Sequence, residues 1–518
     1  MIYRPRISDV DIPLTTLSRH VLADARHRGD APALIDGPSG RVLTYAELDD
    51  VTSCAAAGLA EIGVAPGDVV ALMSFNQPDW AVAAHAVSRA GAVLTPLNPM
   101  LTVDETAKQL THSRAVMIIS SSDVEEKCAQ AAAQVGIRHR LVLAEHAETA
   151  GAQPFTDIIG EARLEAEDAQ VDPTTALAVL PYSSGTTGES KGVMLTHRNL
   201  VANLEQLRPG WRLTDSDVVC AALPFYHIYG FTIILNSALL AGATIVTLPR
   251  FELRAYLEAV QRFGVTRGHL APPMVLALAN APEVEDFDLT SMRTAVSGAA
   301  PLDEEAVARA ELRTGIVIRQ GYGMTEASPG THIVDVAEFE HTPAGSVGRL
   351  MPATEARVVD PSTGADVAPG ERGELLIRGP QVMRGYLNNP EASAATITDG
   401  WLHTGDIVLV EGENFYVVDR LKELIKYKGY QIAPAELEAV LLTHPNVVDA
   451  AVVRMAHPAG GEAPKAFVVA DGAIESEALM QWVANRVAPY KKIRSVVFVD
   501  AIPKSPAGKI LRRVLQDT

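Results

Sequence analysis

Residues 182–194 read YSSGTTGESKGVM. Ser, Thr and Gly crowd the stretch, and a single lysine, Lys191, follows them. The preceding ALAVLPY (176–182) is a short apolar run that reads as a buried strand. Gly185 and Gly188 open backbone angles closed to other residues. A glycine-rich turn leaving a strand can aim several N–H groups into one concavity, an anion nest. The hydroxyls of Ser183, Ser184, Thr186 and Thr187 add donors, and Lys191 adds a positive charge. Phosphate is the natural guest. The Walker A pattern G-x-x-x-x-G-K-[ST] does not fit. Counted from Gly185, its second glycine slot holds Ser190, and Gly192 follows the lysine, so no hydroxyl is placed for magnesium in that geometry. A loop of small polar residues on the surface is the other reading of this stretch alone.

The chain has 518 residues, more than one core accommodates, so two to four domains are expected. Composition is that of a globular protein, 47% hydrophobic and 21% charged. The net charge of −19 argues against nucleic-acid binding. It also requires that a polyanionic substrate be held by local cations. Cys54, Cys128 and Cys220 are far apart and form neither a metal spacing nor a disulfide set, so a reducing cytoplasm is expected. The opening MIYRPRISDVDIP lacks the apolar core of a signal peptide. FTIILNSALLAGATIVTL (231–248) is long and uncharged, but Asn236, Ser237 and Gly242 interrupt it. It reads as a buried helix ending near Gly242, then a buried strand over 244–248.

Short apolar runs such as VVALMS, AVMIIS, VVCAALP and TIVTLP alternate with Ala-rich segments such as DWAVAAHAVSRAG (79–91). That alternation predicts parallel α/β sheets. Beyond about residue 340, ARVVD, GELLIRG, DIVLVEG and FYVVDR predict a smaller β subdomain. After DRLKELIKYKG (419–429) the balance of charge changes. Residues 421–518 hold thirteen Lys and Arg against ten Asp and Glu, leaving −22 on residues 1–420. A mildly basic α+β module on an acidic body suits a lid over an anion.

Further motifs follow in order: LPFYHIYGF (223–231), SGAAPL (297–302), RQGYGMTEAS (319–328), GWLHTGD (400–406) and PKSPAGKILRR (503–513). Together with the opening stretch and over the whole chain, they resemble the adenylate-forming superfamily, with wording nearest the 4-coumarate:CoA ligase-like acyl-CoA synthetases. The resemblance implies a large N-terminal adenylation domain (1–420) and a mobile C-terminal lid (421–518) hinged at Lys422. It implies ATP, Mg²⁺ and CoA, and attack of a carboxylate on the α-phosphorus, followed by thiol attack on the acyl-adenylate.

Residue by residue, it makes the 183–191 stretch a loop for the β- and γ-phosphates. Glu326 is a metal ligand and Thr325 contacts the α-phosphate. Tyr322 stacks on adenine beside Gly298, Ala299, Ala300 and Gly323. Asp406, helped by Arg420, accepts from the ribose hydroxyls. Lys509 bridges carboxylate and α-phosphate, and Lys426 and Gln431 close over the nucleotide. His227, among its aromatics, counts with the catalytic set. Lys428 and Gly429 meet the pantetheine path. Tyr229, Gly230, Gly298, Gly323 and Ala327 are expected to line the acid pocket.

Three departures narrow the reading. Glu189 and Ser190 replace an apolar residue and Pro in the loop, which loosens it and adds an anion. The paired histidines of luciferases are absent, which argues against luminescence. FYHIYGF carries no Asp for a substrate ammonium, so a hydrophobic acid (aryl, fatty or polycyclic) without an α-amine is expected. No carrier domain is expected after Thr518. Two alternatives stay open: delivery of acyl-AMP to a separate acceptor protein, and a non-catalytic nucleotide-binding regulator. The acid, ATP and CoA are the expected partners; the oligomeric state is open, a homodimer included.

Overall fold

The computed structural model describes residues 1–6, 9–159, 168–184, 190–300, 302, 304–427, 430–456, 462–505 and 508–516. Gly185, Thr186, Thr187, Gly188, Lys428 and Gly429 fall outside the described residues, as do the side chains of Ser184, Lys426 and Gln431.

The runs rich in Val, Ile and Leu form two large sheets. In one, Val69–Met73 pairs in parallel with Val93–Leu97 and Ala115–Ser120, and His139–Val142 extends it. In the other, Val218–Ala221, Thr244–Thr247, Arg267–Leu270, Thr294–Ser297 and Val317–Gln320 run parallel. Burial on both faces explains why these strands read as unbroken apolar runs. The helix Pro78–Arg89 contacts strands of both sheets and is buried along nearly its whole length. Its alanines allow that close approach. Thr44, Thr102 and Thr196 each begin a helix with a reciprocal capping box, satisfying donors that the first turn would leave free.

Two local readings are refined. ALAVLPY does not form one strand: Leu177–Val179 and Tyr182–Ser184 are separate, because Pro181 offers no N–H to a ladder. Lys191 is not in the loop but on the following strand, Ser190–Thr196, opposite Ser183. The segment 231–248 is a wide helical turn over Tyr229–Asn236, a helix Ser237–Ala241 closed by left-handed Gly242, and the strand Thr244–Thr247. Among the described residues no helix is long and apolar enough to cross a membrane.

Glu355–Val359, Gly373–Arg378, Trp401–Glu411 and Asn414–Arg420 form an antiparallel sheet. Beyond it, Val447–Ala456 and Glu462–Ala470 pair antiparallel and Ser495–Phe498 adds in parallel. This small unit has its own apolar cluster around Leu437, Val452, Val468, Leu479 and Val483. A minor cluster of Ile407, Leu424 and Ala433 links it to the antiparallel sheet.

One buried cation ties the small unit together. Arg512 donates to both Glu438 oxygens at 2.7 Å, to Glu423 at 2.5 Å and to the Val452 carbonyl at 3.2 Å. Glu438 is fully satisfied only with that partner; burial pushes its carboxyl up. Removing one member of such a pair leaves an uncompensated charge. Arg512→Ala should therefore cost the small unit about 3–5 kcal/mol, read as faster native-state hydrogen exchange along Val447–Ala456 and Glu462–Ala470 with the two large sheets unaffected.

Candidate active site

Asp406 sits where three elements meet. On the strand Trp401–Glu411 it lies directly across from Arg420. Its Oδ1 is 3.3 Å from the Arg420 Nε, and its Oδ2 accepts from the Tyr322 hydroxyl at 2.6 Å. Only 5% of it is exposed. Burial raises its carboxyl, while Arg420, Tyr322 and Lys509 oppose the rise. Left-handed Gly405 precedes it, and the Gly405 carbonyl accepts from the Leu421 N–H at 2.8 Å. The chain thus ties Asp406 to the residue where the C-terminal part begins.

Glu326 lies on a single helical turn, Thr325–Ala327. Its Oε1 accepts from Ser183 Oγ at 3.1 Å and from the Tyr386 hydroxyl at 3.0 Å. The Tyr386 ring also carries Lys191, whose Nζ stands 4.8 Å from the ring centre. Strand pairing of Val193 with Tyr386 creates this arrangement. Glu326, Ser183 and Lys191 are therefore brought to one place, at the rim of the glycine-rich stretch. Gly323 has a backbone reason: a Cβ there would lie 2.2 Å from the Pro329 carbonyl oxygen. Among the described residues no cluster of three or more His, Cys, Asp or Glu could cage a metal. A single hard carboxylate such as Glu326 suits Mg²⁺, which is usually held by one or two carboxylates plus substrate phosphates.

Between Tyr322 and the wide turn at 229 a cleft encloses about 650 Å³, open to solvent at its mouth. Tyr229, Gly298, Gly323 and His227 line it. The Tyr229 hydroxyl donates to the Val296 carbonyl at 3.2 Å, and Gly298 leaves room for its ring. Ala299 and Tyr322 continue the wall. Ala299 is left-handed and exposed, and half-buried Ala300 follows it. Burial lowers His227 to about 4, so its imidazole is neutral, and its Nδ1 accepts from the Tyr229 N–H. Two expected wall residues are not part of this lining. Gly230 packs on the chain instead, where a Cβ would fall 2.0 Å from the Pro224 carbonyl oxygen. Ala327 is fully buried behind Glu326. Sequence neighbours on helical turns point in different directions, so adjacency to a wall residue did not make either one a wall.

Lys509 arrives from the far end of the chain. Lys504 and Ile510 bridge, and the Ser505 N–H donates to the Lys509 carbonyl at 2.7 Å, closing a tight loop. Gly508 in that loop leaves no room for a side chain against Pro273. The Lys509 ammonium feels Arg420, Glu423, Asp406 and Arg512; burial, then Arg420, lowers it to about 8. Lys426 pairs in register with Gln431 on the hairpin Ile425–Tyr427 and Tyr430–Ile432. Lys422 is exposed on the turn after Arg420, and its carbonyl accepts from Arg454 at 3.4 Å. Sequence reading missed Tyr386, Glu423 and the floor of the cleft; nothing in the string MRGYLNN marks Tyr386 for chemistry.

The sequence pattern of the AMP-binding enzyme family matches residues 21–387, and that of the AMP-binding enzyme C-terminal domain matches 436–509. The 4-coumarate--CoA ligase 5 of Oryza sativa subsp. japonica is 42% identical over 99% of this chain and 97% of its own. ATP-bound MatB from Rhodopseudomonas palustris superposes with a TM-score of 0.87 at 29% identity, covering 97% of this chain and 99% of its own. The anthranilate CoA ligase AuaEII, in complex with anthranoyl-AMP, gives 0.89 at 25% identity over 98% and 97%. The chain belongs to the AMP-binding enzyme family, within the adenylate-forming superfamily, as an AMP-forming acyl-CoA synthetase.

Tyr386 offers a test of this geometry. Tyr386→Phe keeps the ring under Lys191 and removes the hydroxyl from buried Glu326. We expect a loss of about 1.5–3 kcal/mol, the worth of a hydrogen bond to a charged group, in chemical denaturation. Tyr386→Leu, which also removes the ring, should weaken ATP binding further.

Proposed function

We propose that this enzyme activates a hydrophobic carboxylic acid, aryl, fatty or polycyclic, with ATP and Mg²⁺ and then transfers the acyl group to CoA. The observation that carries the reading is the convergence of Lys509, from the last few residues of the chain, on buried Asp406 and Arg420. A cation delivered there by a separate unit suits a reaction between two anions. The relatives' names, 4-coumarate and anthranilate CoA ligase, support an aryl acid.

In the first step a carboxylate oxygen bonds to the α-phosphorus, the bond to the bridging oxygen breaks, and pyrophosphate leaves. Asp406 and Arg420 hold the ribose hydroxyls, Tyr322 faces the adenine, and Thr325 meets the α-phosphate. Ser183, Lys191 and the glycine-rich stretch steady the pyrophosphate. Glu326 would hold Mg²⁺, which supplies charge neutralisation on the phosphates. In the second step the CoA sulfur bonds to the acyl carbon and AMP departs. Residues 1–420 form the body and 421–518 the lid, with Lys422 as the hinge that exchanges the two steps.

The test is acid-dependent pyrophosphate release coupled to CoA consumption across a panel of acids. Lys509→Ala should cut adenylation by about 10²-fold or more and largely spare thioester formation from supplied acyl-AMP. Equal loss of both steps overturns the two-state lid.

A second outcome concerns pH. Lys509 has to be protonated to neutralise the incoming anions, and its position near 8 lies below the usual lysine value. In kcat/KM for adenylation, which reports the free enzyme, activity should fall as pH rises through about 8. Lys509→Arg keeps its charge to higher pH, so the remaining activity should lose that limb.

A further inference from the structure

The floor of the cleft is apolar in most places: Leu207, Ile233, Val296 and Ile333 contribute to it. Set into it are polar atoms without partners. Both ring nitrogens of His269, the Trp211 Nε1 and the His332 Nε2 are buried and make no hydrogen bond. His269 comes from the strand Arg267–Leu270 and is 0% exposed. Its ring is held edge-on between Trp211, with centres 5.0 Å apart, and Tyr229, 6.0 Å away. Burial lowers the imidazole to about 3, so it is neutral, with one N–H donor and one acceptor.

Buried polar groups left unpaired cost about 1–3 kcal/mol each. A purely hydrocarbon substrate would leave them unpaired; a hydroxyl, which both donates and accepts, would match them. A second carboxylate would not, because a neutral ring offers it no charge. We infer that His269, assisted by the Trp211 N–H, determines specificity for an acid bearing an uncharged hydroxyl at the end remote from its carboxylate. This deepens the ligase reading above and rests on it.

The experiment is ATP–pyrophosphate exchange on matched pairs of acids: 3-phenylpropenoic with 3-(4-hydroxyphenyl)propenoic acid, and decanoic with 10-hydroxydecanoic acid. Wild type should prefer the hydroxylated member of at least one pair by 10-fold or more in kcat/KM, about the worth of one buried hydrogen bond. His269→Leu should shrink that ratio by about 10-fold or more, and His269→Gln should retain part of it. Trp211→Phe, which keeps the ring and removes the N–H, should shrink it less. His269→Leu should also melt at or above the wild-type temperature, since it removes unpaired polar atoms, whereas loss of a merely structural histidine would lower it. Exchange with equal rates inside every pair, or a ratio unchanged in both His269→Leu and Trp211→Phe, overturns this inference alone. No exchange with any acid overturns the ligase reading and this inference with it.

Discussion

The carboxylate of Asp406 is taken out of water, and much of the site follows from that. A buried charge survives only if it is paired and hydrogen-bonded. Asp406 meets that demand with a cross-strand guanidinium, a phenol from another sheet and a cation from the C-terminal unit. Each partner comes from a different part of the chain. The strand Asn414–Arg420 supplies the arginine, the turn after Val317–Gln320 supplies the tyrosine, and the loop at 504–510 supplies the lysine. Satisfying one carboxylate therefore aligns the antiparallel sheet, the parallel sheet and the small unit.

The nearby carboxylates solve the same problem differently. Glu326 has no guanidinium beside it and relies on two hydroxyls, which leaves its charge available to a cation from solution. Asp419, one residue before Arg420, takes backbone N–H bonds from Arg420 and Ala435, and burial pushes it up to about 7. Arg512 neutralises Glu438 and Glu423 outright. Four acidic groups within one junction thus have separate partners, and only the one at Glu326 faces the glycine-rich stretch.

What could be read from the sequence was whatever is written in contiguous strings. The parallel sheets were legible because double burial forces unbroken apolar runs. The stretches around Ser183, Glu326, Asp406 and Lys509 were legible because turns with fixed chemistry keep their residues together. The Tyr386–Glu326–Lys191 arrangement was not, since it exists only through pairing of Ser190–Thr196 with Gly385–Tyr386. The imidazole–indole floor was hidden for the same reason: Trp211 ends a helix and His269 sits in a strand. Gly230 and Ala327 show the opposite failure, in which a correct string was extended to neighbours whose side-chain directions the string does not encode.

The helix Pro78–Arg89 has one more consequence. Packed on both sides at interior density, it leaves the two large sheets no freedom to slide or part without breaking contacts along its length. The cleft at the strand ends therefore inherits a frame of fixed width. Descendants of such a scaffold cannot accept a new acid by spreading their walls. They have to change the side chains that the strand ends present, one position at a time, so divergence in this architecture is written at its rim while the layers beneath stay the same.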